Sequence, residues 1–311
     1  MDRNDRPVEI LMAVYNGEAF LAEQIDSILA QSDGRWHLTI SDDGSADDSG
    51  AIIDGYVRRH PDRIARHRSG RRFGNARDHF FHLMDGCDAD YLLFCDQDDV
   101  WYPDKVLKTR RALEEAESEW GGETPTLVFS DQTPTDADLK PLAQSLMRYQ
   151  DQRFENFDYR SLLMQNVVTG GAMGVNRALA RLGGRGNRVE GIILHDWWLA
   201  VVAARFGRIV YIDEPLGAYR QHGGNAVGAK DVGSAGYVLE RLGAIGGVRR
   251  SIQRKKAQAR AFRTAYQDAL GPEDERFLAQ FEKPRSGPAF YLRHLGLIHG
   301  FKRRAGMILL G

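Results

Sequence analysis

Sulfur is scarce in this chain. Its 311 residues include two cysteines, Cys87 and Cys95, and no CxxC pair. Two isolated thiols build no disulfide framework, and they suit a reducing compartment, so the expected location is the cytoplasm. Long apolar runs are also missing: none reaches the roughly 18 residues that a spanning helix needs. The opening segment Met1-Asp2-Arg3-Asn4-Asp5-Arg6 is charged and lacks the apolar stretch of a secretion signal. An excess of one charge is missing as well. Lys and Arg number 42 against 43 Asp and Glu, which argues against a nucleic-acid partner, because such a domain carries a basic field. Neither a GxGxxG fingerprint nor a Walker A loop follows the first apolar segment, so the two commonest phosphate cradles are excluded. No internal repeat and no low-complexity tract is found.

What the chain does have is an alternation. Val8–Val14 reads as a buried strand, and Ala19–Gln31 has helical spacing through Phe20, Leu21, Ile25, Ile28 and Leu29. Trp36–Ser41 predicts a second strand, followed by a turn and a helix through Ile52, Ile53 and Val57. Ile64–Arg68 predicts a short strand, Asn75–Met84 a helix, Tyr91–Cys95 a strand and Lys105–Glu119 a helix. Strand–helix alternation over about 120 residues predicts an α/β fold with helices on both faces of a parallel sheet. The pattern then loosens. Thr126–Ser130, Ser161–Val167, Ala172–Val175 and Ile209–Ile212 are short elements, and Trp197–Phe206 is a helix with an aromatic start.

The most informative segment is Cys95-Asp96-Gln97-Asp98-Asp99, at the end of the apolar run Tyr91–Phe94. Three carboxylates in four positions repel each other. A chain tolerates that in a wet turn or around a cation. In an open α/β sheet, ligands bind just beyond the carboxyl ends of strands. One reading is therefore Asp oxygens holding Mg²⁺ or Mn²⁺, with substrate phosphates filling the remaining positions; the other is an acidic turn capping the helix that starts near Pro103. Ser41-Asp42-Asp43-Gly44-Ser45 ends the second strand in the same way. A carboxylate there accepts a base N–H or a ribose hydroxyl, or it serves as a helix N-cap. Arg71-Arg72 reads as a solvated pair or as a charge that steers an anionic donor.

Combined, these segments resemble the family 2 glycosyltransferases of the GT-A fold over roughly residues 7–225. The resemblance rests on LMAVYNGEAFLAEQIDSILAQS, LTISDDGSADDS, FGNARDHF and YLLFCDQDDVWYPDKV, then NVVTGGAMGVNR, LHDWWLAVVAARFG and YIDEPLGAYRQHGGN. DQDDVW with HDWW and YRQHGGN is most similar to the bacterial rhamnosyltransferase branch. The resemblance implies a Rossmann-like, nucleotide-sugar-binding α/β fold with a mixed, mostly parallel central sheet and a C-terminal helical extension. It divides the chain into a catalytic domain at 1–230 and a helical basic region at 231–311.

It also implies roles for individual residues. Val14, Tyr15 and Asn16 line the nucleotide pocket, Asp42 reads the base with Asp43 beside it, and Arg77 lies near the base or pyrophosphate. Phe73 departs from the family pattern, which has Asn before this glycine. Asp96, Gln97 and Asp98 form the element that handles the ribose and the metal–pyrophosphate, and Asp99 shares that load. Gly170 and Gly171 form the loop beside the acceptor, and Asp196 is the catalytic base. His222 is a metal or diphosphate ligand, or a turn histidine bonded to backbone. His195 stands where many members carry an acid; it orients Asp196 or the acceptor, or caps the helix. Trp197 and Trp198 cannot share one helix face, so one stacks on a sugar, or both are core.

The chemistry of sugar transfer agrees with this set. A departing diphosphate has to be neutralised, and an acceptor hydroxyl has to give its proton to a positioned carboxylate. One base opposite the leaving group predicts a single displacement with inversion, unlike the two-carboxylate logic of glycoside hydrolysis. The expected activity moves L-rhamnose from dTDP-L-rhamnose to a glycan or lipid-linked acceptor in surface-polysaccharide synthesis. The alternatives are a sibling enzyme using UDP-galactose or UDP-N-acetylglucosamine, and a catalytically idle nucleotide-sugar-binding scaffold. From Arg241 to Arg263, and again over Ala289–Leu310, apolar residues at helical spacing accompany Lys and Arg with no acid. Such helices lie on the anionic inner face of the plasma membrane, or pack on the domain with a solvated basic side.

Overall fold

Strand β1 (Val8–Val14) buries Val8, Ile10, Leu11, Met12 and Val14, so both of its faces are apolar. A strand covered on both faces belongs inside a parallel sheet. The computed structural model, which describes residues 7–152, 158–223, 245–283 and 288–297, places β1 between two parallel partners. These are β2 (Trp36–Asp42) and β4 (Tyr91–Cys95), and β3 (Ile64–His67) extends the sheet beyond β2. Helices α1 (Leu21–Leu29), α2 (Ser49–Arg59) and α3 (Ala76–Asp85) link these strands. The chain steps outward from β1 to β2 and β3, then returns on the other side of β1 as β4. That reversal opens a crevice beyond the carboxyl ends of β1 and β4, where open α/β sheets bind ligands.

The remaining elements complete an eight-stranded sheet, ordered β3-β2-β1-β4-β7-β6-β8-β5. They are β5 (Val100–Trp101), α4 (Lys105–Trp120), β6 (Thr126–Thr135), α5 (Leu146–Tyr149), α6 (Tyr159–Met164), β7 (Met173–Asn176), α7 (Arg177–Gly183), α8 (His195–Phe206) and β8 (Arg208–Arg220). β7 runs antiparallel to β4 and β6, and β8 pairs parallel with β6 and antiparallel with β5. The sheet is thus mixed α/β, with four parallel pairings against three. Two strands outrun their sequence expectation. Ile209–Ile212 is only the start of β8, which continues through Asp213-Glu214-Pro215 by way of a bulge opposite Asp131. Proline within a strand is tolerated at such bulges, so a segment that reads as a break stays in the sheet and carries Tyr219 and Arg220 to the crevice.

Two cores flank the sheet. One gathers Ile10, Met12, Ile25, Ile28, Trp36 and Ile53. The other joins Leu11, Phe80 and Phe94 to Trp198 and to three later helices, α9 (Ile245–Tyr266), α10 (Pro272–Phe281) and α11 (Pro288–Arg293), through Phe262, Tyr266, Phe277 and Tyr291. Helix α9 turns Ile252, Ala259 and Phe262 inward and leaves Arg249, Arg250, Arg254 and Arg260 exposed. Among the described residues no helix is long and apolar enough to cross a membrane. Leu239, Leu242 and the stretch from Ile298 to Leu310 lie outside the described residues.

Candidate active site

A cavity of about 400 Å³ opens beyond the ends of β1 and β4. Val14 and Tyr15 leave β1 into its wall. The Gln97 amide holds that exit on both sides: Tyr15 N donates to Oε1 at 2.7 Å, and Nε2 donates to Tyr15 O at 3.1 Å. The next residue, Asn16, has φ +48°, a region that asparagine enters more easily than most side chains. Its Oδ1 accepts from Ala46 N at 2.9 Å, and its own N–H donates to Ser45 Oγ at 2.9 Å. Asn16 therefore ties two loops together outside the cavity lining.

The two acids at the end of β2, Asp42 as its last residue and Asp43 just beyond it, turn opposite ways. Asp42 turns away from the cavity: Oδ2 meets Arg66 at 3.1 Å, and Oδ1 accepts from Ser45 N and Oγ. Asp43 turns inward and lines the cavity. Its carboxylate accepts from Phe73 N at 2.5 Å and Gly74 N at 2.7 Å, and its carbonyl accepts from Arg72 Nε at 3.0 Å. Asp43 thereby fastens the loop that brings Arg72, Gly74 and Asn75 into the wall.

The acidic turn after β4 spreads its carboxylates over three environments. Asp96 lines the cavity, and burial, Asp98 and Asp196 together push its carboxyl up to about 7. Asp98 also lines it, and its Oδ2 lies 2.8 Å from His222 Nε2. Asp99 is 1% exposed behind them. It accepts from Arg220 N at 3.1 Å, and burial with two neighbouring carboxylates drives its carboxyl well above the usual range. Lys105, fully inside, donates to Gly171 O at 2.5 Å; burial pulls its ammonium down to about 8 while Asp99 and Asp96 oppose that fall. Arg220 donates through Nε to Asp98 O at 2.8 Å. A Cβ on Gly171 would lie 2.9 Å from Oδ2 of both Asp96 and Asp99, so any larger residue there would displace these carboxylates.

The opposite wall is the start of α8. Asp196 is 7% exposed, and burial raises its carboxyl to about 6 against bonds from Trp197 N at 2.6 Å and Asn166 Nδ2 at 3.4 Å. His195 packs on Phe80 and Phe94, with ring centroids 4.2 and 5.2 Å away. Burial takes its imidazole down to about 3, so it is neutral.

The cavity thus gathers Val14, Tyr15, Asp43, Asp96, Gln97, Asp98, Gly170, His195 and Asp196. It leaves several sequence candidates outside its lining. Asp42 is spent on Arg66 and Ser45, and Asp99 is buried behind the turn. Arg77 grips Asp78 and the Ile192 carbonyl, at 2.7 and 2.8 Å. Trp198 is fully buried, bonded to Gly183 O and stacked near Tyr266, and Trp197 donates to Leu162 O. Neither indole lines the cavity: Trp198 is packed in the core and Trp197 is half-buried against α6. Gly171 and His222 stand one layer back, against Asp96 and Asp98. Residues the sequence did not single out join the wall: His79, Phe80, Thr169 and Tyr219. His79 and Phe80 sit in the FGNARDHF segment already quoted, and helical spacing from Asn75 to His79 was the available signal.

Asp98 and His222 make an oxygen–nitrogen donor pair that suits Mn²⁺ or Mg²⁺. No third His, Cys, Asp or Glu is gathered with them among the described residues. Such an ion keeps open positions for phosphate oxygens and water.

The model of the family described as "Glycosyl transferase family 2" matches residues 9–174. The dTDP-rhamnosyl transferase RfbG of Shigella flexneri is 30% identical over 251 residues, covering 75% of this chain and 78% of that one. Two solved structures share the fold at low identity. The Staphylococcus aureus TarS 1–349 complex with UDP-GlcNAc has a TM-score of 0.53 at 14% identity, covering 97% of this chain and 88% of that one. The mannosyltransferase PcManGT of Pyrobaculum calidifontis, in complex with GDP-Man and Mn²⁺, has 0.54 at 16%, covering 98% and 75%.

Proposed function

The chain belongs to glycosyl transferase family 2 and is a glycosyltransferase, and from that premise we propose that it moves L-rhamnose from dTDP-L-rhamnose to a glycan or lipid-linked acceptor with inversion. The observation that carries the proposal is the meeting of Asp96, Asp98 and Asp196 across one cavity, from segments about 100 residues apart. The relative's name supplies the donor.

Asp196 is the base. With its carboxyl near 6 it is ionised at pH 7 to 8 and still basic enough to accept a proton. The acceptor oxygen gives that proton to Asp196, forms its bond to the anomeric carbon, and the bond from that carbon to the diphosphate oxygen breaks, releasing dTDP. Asp43, with its carboxylate in the wall, takes the base-reading role, and Arg72 beside it offers positive charge to the nucleotide. Tyr15 and Gln97 shape the nucleotide end. Asp98 and His222 would hold a divalent cation, Mg²⁺ or Mn²⁺, which would neutralise charge on the leaving diphosphate.

The division at about residue 230 separates this catalytic part from a helical extension. The exposed Arg249, Arg250 and Arg254 face suits the anionic inner leaflet, where a lipid-linked acceptor resides. The test is a thermal-shift and turnover panel of dTDP-L-rhamnose, UDP-galactose and UDP-N-acetylglucosamine, with Mn²⁺ or EDTA. The expected result is stabilisation and turnover with dTDP-L-rhamnose and metal, with the anomer inverted by NMR. Turnover with a UDP-sugar alone replaces the donor, and full activity in EDTA removes the metal.

A further inference from the structure

Both ring nitrogens of His195 lack a hydrogen-bond partner, although the residue is 4% exposed and lines the cavity. Buried polar atoms are nearly always paired, and an unpaired one marks a ligand, a water or strain. We propose that His195 is a specificity-determining residue that reads a hydroxyl of the sugar entering the cavity. This rests on the glycosyltransferase function proposed above.

Three observations converge on a hydroxyl rather than a phosphate. The imidazole is held neutral among Phe80 and Phe94, so it offers no cation to a diphosphate. A neutral imidazole presents one donor and one acceptor, and a hydroxyl answers either. Asp98 stands in the acidic turn with His222, from beyond β8, 2.8 Å away, whereas His195 is joined in sequence to the base Asp196. Gly170 lies against the ring edge. A Cβ there would lie 3.2 Å from His195 Nε2 and 3.3 Å from Cε1, so any larger residue would crowd the edge of the ring. Packing on two phenyl rings fixes the ring plane before the sugar arrives, which lowers the ordering cost of the contact.

The hydroxyl belongs to the donor sugar or to the acceptor, and the experiment separates the two. His195→Phe keeps the aromatic packing and removes both nitrogens. If the donor sugar is read, the Kd for dTDP-L-rhamnose with Mg²⁺ rises about tenfold while the Kd for dTDP is unchanged, the loss expected from one hydrogen bond. If the acceptor is read, both values hold and the KM of a p-nitrophenyl glycoside acceptor rises by a similar factor. Either result supports the proposal. No change in any of the three, or an equal loss for dTDP and dTDP-L-rhamnose, overturns it. A wild-type protein that ignores dTDP-L-rhamnose and binds a UDP-sugar refutes the donor assignment instead. UDP against that UDP-sugar then tests His195. Should the variant fail to fold, ¹⁵N-histidine NMR of the wild-type chain decides: the His195 ring signals must move with the nucleotide-sugar or the glycoside and stay fixed with the nucleotide alone.

Discussion

The two walls of the cavity are built on opposite principles. On the acidic-turn side, charge is dense and cross-linked: Asp98 to His222, Asp99 to the Arg220 backbone, and Lys105 inside against the Gly171 carbonyl. On the α8 side, one carboxylate and one neutral imidazole sit among Phe80, Phe94 and the core that Trp198 anchors. The difference separates two tasks. On the function proposed above, the acidic wall would hold a divalent cation as counter-charge to a leaving diphosphate, and a proton acceptor needs a dry setting that lifts its pKa towards neutrality. The lifted carboxyl of Asp196 is a product of that setting, because burial is its largest cause.

Removing the lone charge of the α8 wall is the hardest test of this contrast. Asp196→Asn is expected to lower kcat by roughly 10²–10⁴ while the donor Kd holds. The same variant should be the more stable protein at pH 8. A carboxyl raised from 3.8 to about 6 binds its proton more tightly when folded, so ionisation destabilises the fold as pH climbs through that window. The gain should be of the order of 2–3 kcal/mol above pH 7, vanishing below about pH 4. Urea melts at pH 4 and pH 8 read it directly, and equal stability at both would refute the desolvated charge.

A milder probe leaves the residue and titrates it. kcat/KM should fall about tenfold per unit below pH 6 as Asp196 takes up its proton. A profile flat to pH 5 would place the base elsewhere. On the charged wall, Gly171→Ala drives a methyl against Asp96 and Asp99 at 2.9 Å. Overpacking of this kind costs roughly 1–3 kcal/mol, and the displaced Asp96 should weaken donor binding as well. Unchanged melting and unchanged donor Kd would count against so tight a turn.

The smallest effect is expected farthest from the cavity. Replacing Arg249, Arg250 and Arg254 by Gln should weaken co-sedimentation with anionic vesicles by about 1 kcal/mol per charge at low salt and leave turnover on soluble acceptors alone. Binding that ignores both the substitutions and the salt would remove the membrane role. Deleting α11 is the poorer test, since Phe290 and Tyr291 are in the core and the fold would suffer with it.

The sequence by itself determined the first half of the sheet and the identity of the chemistry-bearing segments. β1 and β4 are nearly continuous apolar runs, as strands covered on both faces are, and β2 alternates buried Trp36, Leu38 and Ile40 with His37 and Thr39. The acids that follow β2 and β4 sit at strand ends, so they were visible as candidates. Tertiary structure decided which acid of each cluster faces the cavity. Asp42 and Asp43 are adjacent, and strand geometry sends neighbouring side chains to opposite faces; only Arg66 and the 73–74 loop show which one is occupied. Helical spacing works in the same way on α3, where Arg77 turns to Asp78 and Ile192 while His79 reaches the cavity. The second half of the sheet was hidden for another reason. β8 passes through a bulge at Pro215, and its pairing with β6 and β5 joins residues about 80 to 120 positions apart, a contact that no local pattern encodes. Asp196 and the acidic turn are separated by a similar stretch of chain. Their meeting at one cavity, and the burial that sets their different protonation, exist only once the chain has folded.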